Sequence, residues 1–381
     1  MSLLESVSTH FDSIVFVWSG YLLSMLFFYL YNYKFKITYA GRKDAIAVKL
    51  VSFFNRTICI LPVVLPITVR SMYTGADTYN YWQSFIKFQN YSFFDAITFD
   101  LTAVLYNVFR WAVVKLTHAN VQVFFFLFAF ATMYLVVLTI EKWNLKYGCT
   151  ALFVFYCCFG LNLMNQMRQM FAVAILLYAY QYAYNKQFKK YFIWAVFAGL
   201  FHFSALLSAV VIWVLQKDKK NQFKEYLYYF VLCFSVFGMQ YLFSFLNLLM
   251  NATKYGTMYL EESVVENTSV GLGLLLAIIP NVIPIIMFQK RLDKENRFRN
   301  TILLTLPARL AGYYSYYVYR IMYYFSIQSV VALPLILEKK SKNKKYIKAI
   351  IYFLCVSYFI LFYVWKGSEI YFPYITIWEA H

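Results

Sequence analysis

The chain has 381 residues, of which 62% are apolar and 14% charged, and it carries 35 lysines and arginines against 17 aspartates and glutamates. Soluble domains are about half apolar and about a quarter charged. The composition therefore excludes a soluble enzyme, a disordered chain and a nucleic-acid-binding protein. A membrane-spanning helix needs about 20 apolar residues, so this length accommodates roughly a dozen and predicts an all-α, polytopic membrane protein.

Apolar runs that are candidates for membrane helices follow one another along the chain: 14–31, 51–69, 121–140, 147–164, 170–184, 226–249, 270–288, 301–317, 321–337 and 346–364. Glu5 and Asp12 precede the first run, and Lys34 and Lys36 follow it. A cleavable signal peptide has the opposite arrangement of charge. We therefore expect the first run to be a retained span with the N-terminus outside.

Most of the positive charge lies in short loops between these runs. Six stretches carry 25 of the 35 lysines and arginines: 32–49, 141–146, 185–190, 216–224, 289–300 and 338–348. Because basic residues in short loops are retained on the cytoplasmic side during insertion, membrane orientation explains this charge without a nucleic-acid partner. The six cysteines lie in or beside apolar runs and form neither a disulfide framework nor a metal-binding spacing.

The interval 191–215 is rich in apolar residues and has basic loops on both sides. If both loops are cytoplasmic, the segment enters the membrane and returns, with its turn near residues 201–204. Each arm then measures ~17 Å at 1.5 Å per residue, too short to cross ~30 Å of hydrocarbon. Such arms are stable where protein or a watery cavity covers their ends. We predict a broken hairpin here, about twelve membrane segments, and both termini outside.

The longest stretch without a membrane span is the outward loop 70–120. Its second half has the spacing of an amphipathic helix, with apolar residues at 101, 104, 105, 108, 109, 112, 113 and 116. We predict a helix near 101–116 on the outer face of the membrane, either as a structural element or as a lid that contacts substrate. Residues 250–270 form a second outward loop. Since no linker or internal repeat divides the chain, residues 1–381 are expected to form a single membrane domain.

Ten basic residues are not explained by membrane orientation: Arg56, Arg70, Lys87, Arg110, Lys115, Arg168, Lys254, Arg309, Arg320 and Lys366. Ionisable groups in membrane spans are costly and are functional candidates by default. Arg168 lies at the predicted start of a helix, where free N–H groups and the helix dipole favour an anion. Arg320 lies at an outer turn, and Arg70 ends the second span. These three predict an outward polyanion site, the alternative being contact with lipid phosphates at the interface.

His202 and Asp77 are the candidate proton acceptors. His202 falls at the apex of the predicted hairpin, although a lone histidine in an apolar run is often structural. Asp77 follows a glycine turn and serves either as a base or as a cap or turn residue. The tyrosine-rich tract 313–324 stacks against sugar rings, lines a lipid groove, or belongs to an interfacial aromatic belt.

Several motifs occur in order along the chain. They are GADTYNY (75–81), NQMRQMFAVA (165–174), FHFSALL (201–207), the late Arg320, and YFPY (371–374). The second and third resemble the central signature of the EpsG/Wzy family of bacterial polysaccharide polymerases, and the others are similar to its first outer-loop motif, its late arginine and the end of its chains. The Arg-Gln to His-x-Ser segment is the specific part, and Ala76 stands where the family commonly has a small hydroxylated residue.

The resemblance implies a GT-C-like glycosyltransferase at the outer face of the bacterial plasma membrane. Its donor and acceptor would be polyprenyl-diphosphate-linked oligosaccharides, and a chain-length regulator protein would be a partner. The leaving lipid diphosphate is a stabilised anion, so arginines aimed at its oxygens can replace a metal. No cofactor is implied.

The residues expected to contact diphosphate or sugar are Arg70, Arg168, Gln169, Tyr319, Arg320 and Tyr323. His202 is the preferred base or orients the acceptor, and Asp77 is its substitute. Two other functions remain open, a flippase for lipid-linked oligosaccharide and a membrane acyltransferase acting on surface sugars. The position of the candidates at outer loop ends favours the polymerase over the flippase, and diphosphate-binding arginines have no evident task in an acyltransferase.

Overall fold

A computed structural model gives the fold of most of the chain. The described residues are 2–32, 45–216, 279–292, 296–311, 320–339 and 342–379. They are mainly helical and contain no β-strand, only an isolated bridge between Arg70 and Thr376. The prediction of an all-α fold is therefore confirmed for the described residues. The predicted span 226–249, the predicted loop 250–270 and Tyr319 lie outside them.

The helices described before residue 217 are α1 (Leu3–Thr9), α2 (Phe11–Leu30), α3 (Ala45–Val69), α4 (Thr78–Lys87), α5 (Phe93–Thr98), α6 (Val104–Thr117), α7 (Val121–Lys142), α8 (Gly148–Phe155), α9 (Asn162–Asn165), α10 (Met167–Tyr184), α11 (Phe188–Phe201) and α12 (Ser204–Gln216). Those described after residue 278 are α13 (Ile283–Phe288), α14 (Arg297–Leu303), α15 (Thr305–Ala311), α16 (Met322–Ser326), α17 (Ser329–Glu338), α18 (Lys344–Tyr358) and α19 (Ser368–Tyr371). Helices α8 and α18 continue into π-helical turns over Tyr156–Gly160 and Phe359–Lys366.

Four helices in the described ranges are long and apolar enough to cross a membrane. They are α2, α3 from Ile46 onward, α7, and α18 with its π-helical extension. They correspond to the predicted spans 14–31, 51–69, 121–140 and 346–364. Shorter apolar helices cover Gly148–Gly160, Ser204–Gln216 and Met322–Glu338. By length and composition, these helices are those of a polytopic membrane protein.

Helix α10 lies at the centre of the fold and carries Arg168 near its start. All residues from 169 to 180 are buried, and the helix contacts α7, α11 and α12. A helix that is apolar on every side belongs in the interior of a protein. Small residues such as Ala172 and Ala179 are fully buried and let neighbouring helices approach closely. Packing on all sides therefore fixes the position of the segment that bears Arg168.

Helices α2 and α3 meet at a glycine. A Cβ atom on Gly20 would lie only 2.6 Å from the carbonyl oxygen of Pro62, so the contact requires a residue without a side chain. One residue later, Tyr21 stacks on Tyr156 with ring centroids 4.4 Å apart. The hydroxyl of Tyr156 is also 2.5 Å from Oγ of Ser24. These contacts join α2, α3 and the π-helical turn after α8.

Helices α11 and α12 form the predicted hairpin, and His202 and Phe203 make the turn between them. The hydroxyl of Tyr191 donates to the carbonyl of Ala209 over 3.0 Å, which pairs the two arms side by side. The arms have 14 and 13 residues, or about 20 Å each at 1.5 Å per residue. They are therefore shorter than the ~30 Å hydrocarbon layer.

Helix α6 covers the predicted amphipathic segment, so the predicted helix is present. Two polar residues off its apolar stripe, Asn107 and Arg110, are buried against the protein, whereas Lys115 and the apolar Leu116 (81%) are exposed. Arg110 donates to Oδ1 of Asn107 over 2.8 Å, and its guanidinium lies 3.6 Å from the centroid of the Phe88 ring. The loop between α3 and α7 thus folds onto the polar side of its own helix.

The segment around Ile375 holds the loop that follows α3. The carbonyl of Ile375 accepts hydrogen bonds from the N–H of Ser71 (2.8 Å) and the hydroxyl of Thr74 (3.0 Å). The hydroxyl of the neighbouring Tyr374 donates to the carbonyl of Pro66 over 2.5 Å. The YFPY motif therefore leads into a segment that anchors the loop before α4.

Described parts of the basic stretches 141–146, 289–300 and 338–348 lie near the end of α10 that is remote from Arg168. Arg297 at the start of α14 donates to the carbonyl of Tyr184, the last residue of α10. The N–H of Lys146 donates to Oε1 of Glu338 over 2.8 Å, which joins the loop after α7 to the end of α17. In the described residues, the two ends of α10 thus differ, because basic residues lie around one end and the other carries Arg168.

We expect Gly20→Ala to destabilise the protein by roughly 1–3 kcal/mol, the usual cost of overpacking a close contact. The new methyl group would push α2 away from Pro62. Thermal unfolding of the detergent-purified protein, followed by tryptophan fluorescence, measures the effect. Ser19→Ala is the matched control because Ser19 is the exposed neighbour on the same helix. Equal unfolding temperatures for Gly20→Ala and the wild type would contradict the contact.

Candidate active site

Segments from distant parts of the chain meet at the start of α10. They are the loop before α4, the 3₁₀ turn before α6, the start of α10, the turn of the hairpin, and the residues before α16. Each contributes one charged or titratable side chain. These are Asp77, Asp100, Arg168, His202 and Arg320.

Arg168 is the second residue of α10. The first N–H groups of a helix have no partner within it, and together with the dipole they favour an anion. Nη1 of Arg168 lies 3.3 Å from Oδ2 of Asp100, and the guanidinium lies 5.2 Å from the centroid of the Tyr106 ring. The side chain keeps 30% of its surface exposed. The prediction that Arg168 begins a helix is confirmed.

The residue after Arg168 connects it to Arg320. Nε2 of the buried Gln169 donates to the backbone carbonyl of Arg320 over 2.8 Å. Nη2 of Arg320 in turn lies 3.8 Å from Oδ2 of Asp77. The segments that carry the two predicted diphosphate-binding arginines, Arg168 and Arg320, are therefore in direct contact.

Asp77 is positioned by a turn that requires glycine. Gly75 has a φ of +88°, and a Cβ atom there would lie 3.0 Å from Oγ1 of Thr78. The N–H of Asp77 donates to Oδ1 of Asn165 over 2.7 Å, which attaches the turn to the segment before α10. Helix α4 begins at the next residue, but the Asp77 side chain makes no capping hydrogen bond. Its carboxylate instead faces Arg320.

Asp100 belongs to the site although sequence reasoning did not select it. Its Oδ1 accepts hydrogen bonds from the N–H (2.9 Å) and the hydroxyl (2.5 Å) of Thr102, and its Oδ2 faces Arg168. Burial raises its pKa, but the Thr102 hydrogen bonds and the charge of Arg168 outweigh this and hold the pKa of Asp100 below its usual value. An aspartate just before a helix predicts only a cap, so the sequence carried no signal for the ion pair.

His202 lies in the hairpin turn beside the 3₁₀ turn of Asp100. The N–H of the next residue, Phe203, donates to the carbonyl of Thr102 over 3.2 Å. Within the described ranges, no hydrogen bond to the imidazole of His202 is present. Ser204, one residue further on, has its Oγ 3.1 Å from the hydroxyl of Tyr324 near Arg320.

Burial, together with the charges of the site, sets the pKa of both candidate bases. Burial lowers the pKa of His202 to about 3, with the positive charges of Arg168 and Arg320 adding to the effect and Asp100 opposing it. Burial raises the pKa of the Asp77 carboxyl above its ordinary value, against the opposing charges of Arg320 and Arg168. At neutral pH the imidazole of His202 is therefore uncharged. The positive charges of Arg168 and Arg320 disfavour a proton on both His202 and Asp77.

Arg70 and Tyr323, both predicted to contact substrate, occupy buried positions. Both side chains are 1% exposed. Arg70 donates from Nε to Oγ1 of Thr78 and from Nη2 to the carbonyl of Met164, both over 3.2 Å, and lies 3.9 Å from the centroid of the Phe125 ring. Burial lowers the pKa of Arg70 to about 9, so it stays charged at neutral pH. Arg70 thus links the start of α4 to α9, close to the residues that carry the candidate site.

This arrangement combines two chemical capabilities. Two partly exposed guanidinium groups provide planar donors that match phosphate oxygens, and a neutral imidazole beside a carboxylate can accept a proton. In the part of the chain that the structure describes, no group of three or more His, Cys, Asp or Glu side chains is placed to hold a metal ion. The site suits a reaction in which a phosphorylated group leaves and a hydroxyl attacks.

The sequence profile of the EpsG family matches residues 53–376, an interval that contains all five site residues. The chain belongs to the EpsG family. EpsG proteins are Wzy-like polysaccharide polymerases, and this EpsG protein is accordingly a membrane protein of the polysaccharide-polymerase type. The resemblance inferred from the motifs around Arg168 and His202 is confirmed. No curated protein and no solved structure matches the chain.

We expect His202 to remain reactive toward diethyl pyrocarbonate at acid pH, because this reagent attacks the neutral imidazole and a pKa of about 3 keeps the ring neutral at pH 5. The measurement is the rate of modification of the peptide that contains His202, followed by mass spectrometry between pH 7.5 and pH 5. Nα-acetylhistidine in the same solution should slow about 30-fold, as expected for a pKa near 6.5. A parallel slowing of His202 would show that its pKa is not lowered.

Proposed function

We propose that this EpsG protein polymerises oligosaccharide repeat units carried on polyprenyl diphosphate, at the outer face of the bacterial plasma membrane. The growing chain on one lipid carrier is transferred to a sugar hydroxyl of a second lipid-linked repeat unit. The reaction is a metal-independent glycosyl transfer without a cofactor.

One observation carries this proposal. The Gln169–Arg320 hydrogen bond brings the segments of Arg168 and Arg320 together, and both guanidinium groups act on the neutral His202. A leaving lipid diphosphate gains negative charge as its bond to the sugar breaks, so donors already in place at its oxygens stabilise the transition state. Arg168 and Arg320 are the donors in this proposal, and Gln169 and Arg70 support them.

The transfer breaks the bond between the anomeric carbon of the donor sugar and a diphosphate oxygen, whose electron pair stays with the lipid diphosphate. A new bond forms from the acceptor oxygen to the same carbon. The proton of the acceptor hydroxyl passes to a base, for which His202 is the preferred candidate and Asp77 the substitute. His202 is partly exposed at the hairpin turn, and its uncharged imidazole has a lone pair for this proton. It becomes a stronger base when the negative charge of the diphosphate offsets the two arginines that lower its pKa.

The proposal includes a placement in the membrane. The end of the bundle with the basic loops faces the cytoplasm, as the charge distribution favours, and the site end faces outward with α6 at the outer surface. The chain then forms a GT-C-like bundle of about twelve segments with both termini outside. A chain-length regulator protein would contact the enzyme on this outer side.

We expect Arg168→Ala to reduce polymer formation about 10²- to 10³-fold, the usual effect of removing a donor to a developing anion. Arg168→Lys should recover little of this loss, because an ammonium group cannot reproduce the planar fork of a guanidinium. The assay incubates purified protein with a lipid-linked repeat unit and separates the products on a gel. Arg299→Lys is the matched control, since Arg299 lies among the basic loops.

The same substrate, tested both with purified protein and in vesicles, distinguishes the alternative functions. A ladder of products supports the polymerase, and full ladders from Arg168→Lys would contradict the role of Arg168. In vesicles, a single substrate band that has only changed sides of the membrane would indicate a flippase. Transfer of an acyl group to the sugar without elongation would indicate an acyltransferase.

The base is identified by comparing His202→Ala with Asp77→Asn. We expect the variant that lacks the base to lose about 10²- to 10⁴-fold of polymer formation per amount of folded protein. The preferred assignment predicts this loss for His202→Ala. If His202→Ala retains wild-type output and Asp77→Asn loses it, Asp77 is the base and His202 is structural.

A further inference from the structure

The arginine–carboxylate pairs in the described residues are of two kinds. The pair remote from the site, Arg56 and Glu141, is closed. Nη2 and Nε of Arg56 lie 2.7 and 2.9 Å from the same Oε2 of Glu141, and the two side chains are only 18% and 13% exposed. A third group, the hydroxyl of Tyr134, accepts from Nη1 over 3.0 Å. Such a pair holds α3 against α7 and leaves little of either side chain exposed.

The two pairs at the site have longer contacts. The closest N–O distances are 3.3 Å for Arg168 and Asp100 and 3.8 Å for Arg320 and Asp77. Arg168, Asp100 and Asp77 each have 30% of the side chain exposed, and Arg320 has 19%. Partly exposed pairs of this geometry contribute little to stability. Both carboxylates are therefore more exposed, and lie farther from their arginines, than Glu141 does from Arg56.

Each arginine of these two pairs faces a carboxylate, and a lipid diphosphate brings further negative charge to them. Phosphate oxygens in bidentate contact with guanidinium make shorter and stronger hydrogen bonds than the contacts present here. The substrate can therefore replace the carboxylates as the partner of the arginines.

We propose that Asp100 and Asp77 are exchangeable counter-ions, which occupy Arg168 and Arg320 in the free enzyme and are displaced when the lipid diphosphate binds. This inference rests on the proposed function and adds Asp100 to the residues that control it. Asp100 is a positioning residue here, since it acts through Arg168. Release of the product diphosphate is assisted by the return of both carboxylates.

The exchange has a consequence for the proton acceptor. In the free enzyme the guanidinium groups disfavour a proton on both Asp77 and His202. A bound diphosphate neutralises those positive charges and frees Asp77 from Arg320, so both bases become stronger. Binding of the donor thus strengthens both candidate bases.

The test uses Asp100→Asn in the full-length, detergent-purified protein. Asparagine retains the capping oxygen toward Thr102 but removes the charge that competes for Arg168. We expect inorganic pyrophosphate and a short-chain isoprenyl diphosphate to bind about two- to fivefold more tightly than to the wild type, as measured by calorimetry. The advantage should shrink as salt is raised, because salt screens the lost ion pair.

Asp95→Asn is the matched control, since Asp95 is an exposed capping residue of the same loop that touches none of the arginines. It should bind both probes as the wild type does. Equal or weaker binding by Asp100→Asn, in a background where the wild type binds and makes polymer, would overturn the exchange and leave the proposed function intact. Failure of the wild type to bind either diphosphate would overturn both.

Discussion

The hydrogen bond from the Gln169 amide to the backbone carbonyl of Arg320 joins two segments that lie 151 residues apart in the chain. Arg168 precedes Gln169 directly, so this contact brings the segments of both arginines together. Gln169 is itself fixed because α10 is enclosed by other helices. The spacing of the guanidinium groups therefore follows from packing in the core rather than from flexible surface loops, as a preorganised electrostatic site requires.

The site combines one fully buried arginine with two arginines that keep exposed surface. Arg70 is buried beneath it with its donors directed to protein oxygens, whereas Arg168 and Arg320 keep exposed surface and long contacts. A buried guanidinium is stable only if it is fully hydrogen-bonded, which makes Arg70 suited to support. A guanidinium that keeps exposed surface can take up an anion without a large desolvation cost. The buried Arg70 is thus suited to a structural role, and the partly exposed Arg168 and Arg320 are suited to bind an anion.

Sequence reasoning reached the features that depend on local pattern. The long apolar helices, the hairpin turn at His202 and the helix that begins near Arg168 follow from hydrophobic length and loop charge. It did not reach Asp100, whose context is that of an ordinary cap, or the burial of Arg70, which depends on the carbonyl of Met164 far along the chain. The inward direction of Arg110 was also hidden, because periodicity defines two faces of a helix without stating which one meets protein.

The loop before α4 is held by the carbonyl of Ile375, which comes 301 positions after Thr74 in the chain. The early helices are synthesised long before that partner exists. The loop before α4 therefore reaches the position described here only after most of the chain has been translated.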